Sequence, residues 1–149
     1  MAALTGYFDA SGAPDQGTIL VVGGFISFEA RWREFENRWK VALREAGIEC
    51  FHMGEFINRK GQFVGWKQRR REKFLNSLAQ IIVDTTVRSY ASTVVLEDWN
   101  KVNQQYGLSE ADFQPYALAG WSCVTRILSW CGGVGQLVEK HLSIIDAAS

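Results

Sequence analysis

The chain has 149 residues, of which 47% are apolar and 21% are charged, and its formal net charge is zero. This balance is typical of a folded globular protein and excludes an intrinsically disordered chain. The neutral total also argues against a protein built mainly for tight, nonspecific binding of nucleic acid. At this length we expect a single domain over residues 1–149.

The sequence predicts a cytoplasmic protein without a membrane segment. No basic residue precedes Arg31, so the N-terminus lacks the positive region of a signal peptide. The longest apolar run, residues 19–26, has eight residues, whereas a membrane-spanning helix needs about 20. Cys50, Cys123 and Cys131 form neither a CxxC pair nor a zinc-finger spacing, and we expect them to be reduced core residues.

The first third of the chain predicts a β-hairpin followed by a helix. Residues 3–9 and 18–28 are rich in β-branched and aromatic side chains and are joined by a turn-rich connector. Gly23 and Gly24 in the second run favour a β-bulge; the alternative is a close approach of another backbone or a ligand. From Ser27 the apolar spacing becomes helical, and Gly47 is expected to end that helix as its C′ residue.

The remaining elements complete a mixed α/β pattern. Residues 48–66 have no sustained period and predict a short strand followed by an ordered loop, and a second helix is expected over residues 68–86. Residues 89–96 predict a strand that is covered on both faces and central in its sheet. A third helix over residues 115–131, stopped by Gly132 and Gly133, precedes a last strand over residues 141–146.

Two acids are expected at the ends of predicted strands. Asp9 closes the first strand and Asp146 closes the last, so their carboxylates converge on one edge if these strands are neighbours. Mg²⁺ or Mn²⁺ takes oxygen ligands and commonly needs only one or two protein carboxylates. Glu55, Glu97 and Asp98 are candidates for further ligands. The alternative for Asp9 is a turn former that accepts bonds from nearby N–H groups.

His52 and Glu55 lie three residues apart in a segment flanked by aromatic residues. A histidine can act as a proton shuttle or ligand near neutral pH, and Glu55 can ligate a cation. The alternative for His52 is a structural histidine that bonds a backbone carbonyl.

Residues 31–73 form the only basic region, with twelve bases and six acids. Seven bases lie between Arg59 and Lys73, interleaved with Phe63 and Trp66. Exposed bases and aromatics together predict a phosphate-binding and base-stacking surface, and a solvated helix face is the alternative. The bases assigned to nucleic-acid binding are Arg59, Lys60, Lys67, Arg69 and Arg70.

Four features together resemble a known bacterial family, labelled domain of unknown function 3800. They are Tyr7-Phe-Asp-Ala-Ser-Gly12, the strand Val21-Val-Gly-Gly-Phe-Ile26, the helix from Trp32 to Trp39, and Phe51-His-Met-Gly-Glu-Phe56 with Gly61-Gln-Phe-Val-Gly-Trp66. The resemblance covers nearly the whole chain and implies a ribonuclease-H-like α/β fold, with an N-terminal hairpin and helices packed on a mixed sheet. By fold analogy it also implies a metal-dependent nuclease.

The resemblance implies site residues and also shows two departures. Asp9 matches the aspartate of the family's Asp-Glu-Ser-Gly motif, His52 and Glu55 match its histidine segment, and Asp146 is the counterpart of a late acid. Ala10 stands where the family has a glutamate, and alanine can serve neither as ligand nor as base. The family is also longer at its C-terminus, so we expect this chain to lack that part. The apolar surface left uncovered then predicts a homo-oligomer.

Two functions of different class follow. One is a nuclease that hydrolyses phosphodiester bonds, with Asp9 and Asp146 holding Mg²⁺ or Mn²⁺, Asp9, His52 and Glu55 in catalysis, and the bases on nucleic acid. The other is a non-catalytic binding module or partner subunit in a defence or mobile-element system, which Ala10 and the short C-terminus favour. A third interpretation is a gene fragment without independent function.

Overall fold

A computed structural model describes residues 4–12, 18–111, 113–133 and, for the backbone alone, 142–146. Its strands are β1 (Leu4–Ser11), β2 (Ile19–Phe28), β3 (Arg88–Val95) and β4 (Leu142–Asp146). Its helices are α1 (Glu29–Ala46), α2 (Met53–Asn58), α3 (Gln68–Thr85), α4 (Leu96–Tyr106) and α5 (Pro115–Gly133). Short 3₁₀ turns cover Gly61–Phe63 and Leu108–Ala111. The predicted mixed α/β class is confirmed.

The chain forms two compact units. The sheet unit comprises residues 1–28 and 87–149, and the helical unit comprises residues 29–86, which lie in sequence between β2 and β3. The expectation of a single domain stays a prediction.

The sheet has the strand order β3-β2-β1-β4. β1 pairs antiparallel with β2, β2 pairs antiparallel with β3, and β4 pairs parallel with β1. The hairpin is therefore confirmed. The expected central position of β3 is wrong, because β3 stands at the end of the strand order that the structure describes. The predicted burial of its apolar end on both faces is also wrong. Val94 and Leu96 belong to the core, whereas Val95 is 44% exposed.

One face of this sheet is covered by α5. Ala119, Cys123 and Ile127 lie one helical turn apart and pack in the same core cluster as residues of β1, β2 and β3, which are Leu4, Phe8, Leu20, Val22, Ile26, Tyr90 and Val94. The Cys123 thiol is buried and donates to the Val22 carbonyl at 3.7 Å. Burial raises the pKa of this thiol. Of the three cysteines expected in the core, Cys50 is instead exposed.

The other face of α5 carries exposed apolar side chains. Leu118, Trp121 and Leu128 are 41%, 57% and 42% exposed. This exposure is compatible with the expected homo-oligomer, which stays a prediction. No helix within the described residues is long and apolar enough to cross a membrane.

The helical unit is built on an aromatic cluster. Phe51, Phe56, Phe63, Trp66 and Phe74 have ring centroids between 5.2 and 6.4 Å apart, mostly in edge-to-face arrangements. α1 and α3 run antiparallel beside this cluster, since Arg38 pairs with Asp84 at 2.6 Å near one end and Arg70 bonds Ala46 O at the other.

Gly47 ends α1 as predicted. Its φ is +70°, its N–H donates to Arg44 O at 3.0 Å, and Ile48 N–H donates to Leu43 O at 3.1 Å. These two bonds form a Schellman motif. The strand expected after it is wrong, because residues 48–52 have no strand partner among the described residues. Ile48 and Phe51 instead pack into the cluster of the helical unit, and α2 follows.

Two further predicted boundaries need correction. α4 begins where the sequence predicted the end of a strand, with Glu97 and Asp98 in its first turn and Gly107 at its C-terminus with a φ of +63°. α5 begins at Pro115 as predicted but continues through Gly132 and Gly133. The last strand is confirmed over Leu142–Asp146, while His141 lies outside the described residues.

The bulge predicted at Gly23 and Gly24 is also wrong. The register runs without an inserted residue from Leu4↔Phe28 to Ser11↔Val21, so the alternative of a close backbone approach holds at Gly24. A Cβ atom there would lie 2.0 Å from Tyr7 O and 2.8 Å from Phe8 Cα. At Gly23 the nearest atoms would be 3.7 Å away, an ordinary contact.

We therefore expect Gly24→Ala to lower the free energy of unfolding by about 1–3 kcal/mol or more, because the β1 backbone has to move to admit the methyl group. Gly23→Ala is the matched control. It is expected to leave stability unchanged or slightly raised, since glycine is a poor strand residue. Urea denaturation of both variants measures the difference, and equal stabilities would contradict the close approach.

Candidate functional site

Asp9 lies on the outer face of the sheet, near the end of β1. Phe8 and Ala10 pack in the sheet-unit core, so strand alternation places Asp9 on the opposite face, where its side chain is exposed. Its Oδ1 accepts a hydrogen bond from the N–H of Ala10 at 2.8 Å. The prediction that Asp9 closes the first strand is wrong, because β1 continues to Ser11 and Asp9 pairs with Gly23 inside the sheet. Its other carboxylate oxygen has no hydrogen-bond partner among the described residues.

β4 brings Asp146 to the same edge of the sheet. β1 and β4 are neighbours and run parallel, so their carboxyl ends lie at the same end of the sheet. Convergence of the two carboxylates stays a prediction. In the register Asp146 pairs with Phe8, one position before Asp9. The backbone therefore places the two residues on adjacent strands with an offset of one residue. Because successive strand positions alternate between faces, Asp146 takes a position of the Phe8 face and not of the Asp9 face.

Asp9 and Asp146 are the carboxylates predicted to bind a divalent cation at this edge. Within the part of the chain whose side chains are described, no group of three or more His, Cys, Asp or Glu could hold a metal ion. Mg²⁺ commonly keeps several waters and takes only one or two protein carboxylates, so a small number of ligands does not by itself exclude it. Binding of Mg²⁺ or Mn²⁺ here stays a prediction.

Ala10 packs against the core of the sheet unit. Ala10 therefore places a small side chain on the apolar face of β1, at the position where the family that the sequence resembles has a glutamate. A carboxylate placed there would meet apolar neighbours, so Ala10 suits its surroundings.

His52 and Glu55 lie on the helical unit, at the start of α2. His52 occupies the N-cap position with an exposed side chain that makes no capping bond. Among the described residues, no hydrogen bond joins its imidazole to a backbone carbonyl, which was the alternative. The His52 carbonyl itself accepts from Phe56 N–H at 2.9 Å. Glu55 is half-buried, and its carboxylate lies against Gly61, where an added Cβ would be 2.6 Å from Oε2.

Glu97 and Asp98, the other candidate ligands, lie in the first turn of α4. Acids at a helix N-terminus interact favourably with its dipole. Both pair with Lys101, at 2.7 and 3.8 Å. These contacts give the two acids a structural role in α4.

The aromatic residues of the basic segment are not available for stacking on bases. Phe63 is fully buried and Trp66 is 8% exposed, and both belong to the aromatic cluster. The prediction that this surface combines exposed bases with exposed aromatic residues is therefore wrong for the aromatic residues. What remains is a cationic surface suited to phosphates.

Two of the bases hold the helical unit together. The Arg70 guanidinium lies 3.8 Å from the centre of a Trp66 ring and donates to Ala46 O at 2.8 Å, at the end of α1. Arg71 lies over the Phe56 ring at 4.6 Å and donates to Phe56 O at 2.7 Å. Spacing could have indicated this, because residues 70 and 71 precede the buried Phe74 by four and three positions and share its helix face.

The other bases of the segment are exposed, and the structure gives them no ion pair within the described residues. Lys67 is the N-cap residue of α3, and Arg69 is the second residue of this helix. The first turn of α3 contains no acid. Arg59 has a left-handed φ of +53° at the end of α2. These residues, with Lys60 and Lys73, are the ones free to contact an anionic partner.

Arg71→Ala is expected to lower the free energy of unfolding by about 1–3 kcal/mol, because it removes a charged hydrogen bond and a cation–π contact. Arg69→Ala is the matched control, and as an exposed substitution it should change stability by no more than about 0.5 kcal/mol. Chemical denaturation compares the two. A loss shared equally by both variants would show that Arg71 has no special structural role.

A scan against protein-family models, a search of curated proteins and a search of solved structures each found no match.

Proposed function

We propose that the protein is a divalent-metal-dependent nuclease with a ribonuclease-H-like fold, which hydrolyses phosphodiester bonds. The observation that supports the proposal is the parallel pairing of β1 with β4, which places Asp9 and Asp146 on adjacent strands, one register position apart. Because Asp146 takes the register position of Phe8, on the other face from Asp9, the proposal requires the two carboxylates to meet around the end of β4. The mixed sheet, with an N-terminal hairpin and a helix packed on it, is consistent with the proposed fold class.

In this proposal Asp9 and Asp146 hold Mg²⁺ or Mn²⁺ at the sheet edge. When bound, the cation supplies positive charge at the phosphate and lowers the pKa of a bound water. The exposure of Asp9 leaves the carboxylate accessible to a large substrate. His52, whose exposed imidazole has no capping bond, and Glu55 belong to the helical unit. Their roles in proton transfer and as a ligand or relay stay predictions from the sequence.

The bases assigned to the substrate act on its backbone. Arg59, Lys60, Lys67 and Arg69 are exposed and offer point charges and guanidinium donors for phosphate oxygens. Arg70 donates to Ala46 O and lies over Trp66, so its assigned contact with nucleic acid is secondary to this structural role. Because Phe63 and Trp66 are buried, the interaction is expected to depend on phosphate charge and little on base identity.

Calorimetric titration of Mn²⁺ at neutral pH tests the metal site. The wild-type protein is expected to bind, and Asp9→Asn is expected to weaken binding at least about tenfold, because an amide is a poorer ligand than a carboxylate for a hard cation. Asp98→Asn, which removes an equal charge from α4, is the control and should bind as the wild type does. Absence of binding, or equal binding by all three proteins, would overturn the metal-dependent proposal.

A second candidate function, a non-catalytic module that binds nucleic acid, is favoured by a separate observation. Ala10 fills the position of the family's glutamate and packs on the core, while the exposed bases of residues 59–73 have no acidic partners among the described residues. Binding through these bases needs no metal. The two candidates are distinguished by incubation of labelled oligonucleotides with Mn²⁺: cleavage that Asp9→Asn abolishes supports the nuclease, and binding without cleavage supports the module.

Salt dependence measures the contribution of the bases. In fluorescence anisotropy with single-stranded and duplex oligonucleotides, each phosphate contact contributes about 0.7–0.9 to the slope of log K against log salt. The triple variant Lys60→Ala, Lys67→Ala, Arg69→Ala is expected to reduce this slope by about 2–3. The control with equal charge change is Arg31→Ala, Arg33→Ala, Arg44→Ala on α1. Equal effects of the two triple variants would exclude a specific role for the segment.

A further inference from the structure

We infer that the sheet unit contains a binding site for a small, uncharged, apolar molecule about the size of a benzene ring. A cavity of about 150 Å³ lies between α5 and the covered face of the sheet. This site belongs to neither the metal edge nor the basic segment.

The floor of the cavity is buried and apolar. Phe8 and Val22 contribute from β1 and β2, and Cys123 and Ile127 contribute from α5, all four no more than 6% exposed. None of the described lining residues is charged. The Cys123 thiol donates to Val22 O and, since burial raises its pKa, remains protonated and neutral at neutral pH. The lining therefore offers dispersion contacts, and an ion entering it would lose its hydration without replacement.

The volume of the cavity limits the size of the ligand that fits into it. Apolar protein cavities of about 150 Å³ stay dry and bind benzene or xenon. A drug-sized molecule needs a pocket of about 300 Å³ or more, so we expect the cavity to take a smaller ligand. A single ring or a short branched hydrocarbon chain is the class that fits.

Gly120 and Tyr116 form the more open side of the cavity. Tyr116 is 45% exposed, and Gly120 and Val124 are half-buried, in contrast to the floor. A Cβ atom at Gly120 would meet nothing within 4 Å. Glycine is a poor residue for a helix interior, yet here it leaves space beside the cavity that any larger side chain would reduce.

The cavity and Asp9 lie on opposite faces of β1. Phe8 faces the cavity, whereas Asp9 lies on the opposite face of β1.

The test is methyl NMR of the full chain under xenon pressure and in titration with benzene. Binding is expected to saturate and to shift the methyl signals of Val22, Val124 and Ile127 most strongly. Gly120→Leu, which places a side chain at the open side, is expected to weaken binding at least tenfold. Gly132→Leu is the matched control on the same helix, because an added Cβ there also meets nothing within 4 Å and the residue does not line the cavity.

Saturable shifts at the cavity methyls of the wild type support the site even if Gly120→Leu fails to fold. Shifts that do not saturate, or that are confined to exposed side chains such as Leu118 and Leu128, would overturn it. Equal binding by folded Gly120→Leu and Gly132→Leu would overturn it as well.

Discussion

The approach of β2 to β1 at Gly24 is the constraint on which the sheet unit depends. β1 is paired on both sides, with β2 antiparallel and β4 parallel, so its position fixes both partners. The missing side chain at Gly24 lets the two backbones come together opposite Phe8 without an inserted residue. Because the register is continuous, strict alternation follows along β1. Phe8 and Ala10 enter the core, and Asp9 is left on the outer face.

In the helical unit, aromatic packing decides which bases are available. The cluster around Phe63 draws in Trp66 from the basic segment, and Arg70 and Arg71 then bond carbonyls and aromatic rings at its edge. Their neighbours Lys67 and Arg69 have no such contacts in the described part of the chain. The basic residues of this segment look alike in the sequence, but in the fold some hold the helical unit together and others remain accessible.

The sequence predicted those elements whose period is sustained. α1, α3 and α5 were located by helical spacing, and Gly47 and Pro115 marked two of their ends. α4 was missed because Val94, Val95 and Leu96 continue the apolar strand into the helix, although the acids of its first turn and Gly107 are ordinary helix signals. The edge position of β3 depends on pairing with distant strands, which local spacing does not report.

The candidate site was predictable only in part, because its geometry also depends on contacts between residues that are distant in the sequence. The sequence pattern predicted that Asp9 ends the first strand, whereas β1 continues to Ser11. That Asp146 lies on an adjacent strand depends on the topology, which local pattern does not show. The one-residue offset between them depends on register. The burial of Phe63 and Trp66 depends on tertiary packing, since sequence alone does not distinguish an aromatic platform from an aromatic core.

The place of β3 at the end of the strand order has a consequence for solubility. Edge strands offer unpaired backbone groups to other chains and are common starting points of aggregation. In this protein Arg126 of α5 donates to the Ala91 carbonyl at 3.1 Å, in the middle of β3, and its guanidinium lies near the ring of Tyr90. An incoming strand would have to displace a charged side chain to use that carbonyl. The only cation of α5 thus protects the sheet against the addition of a foreign strand.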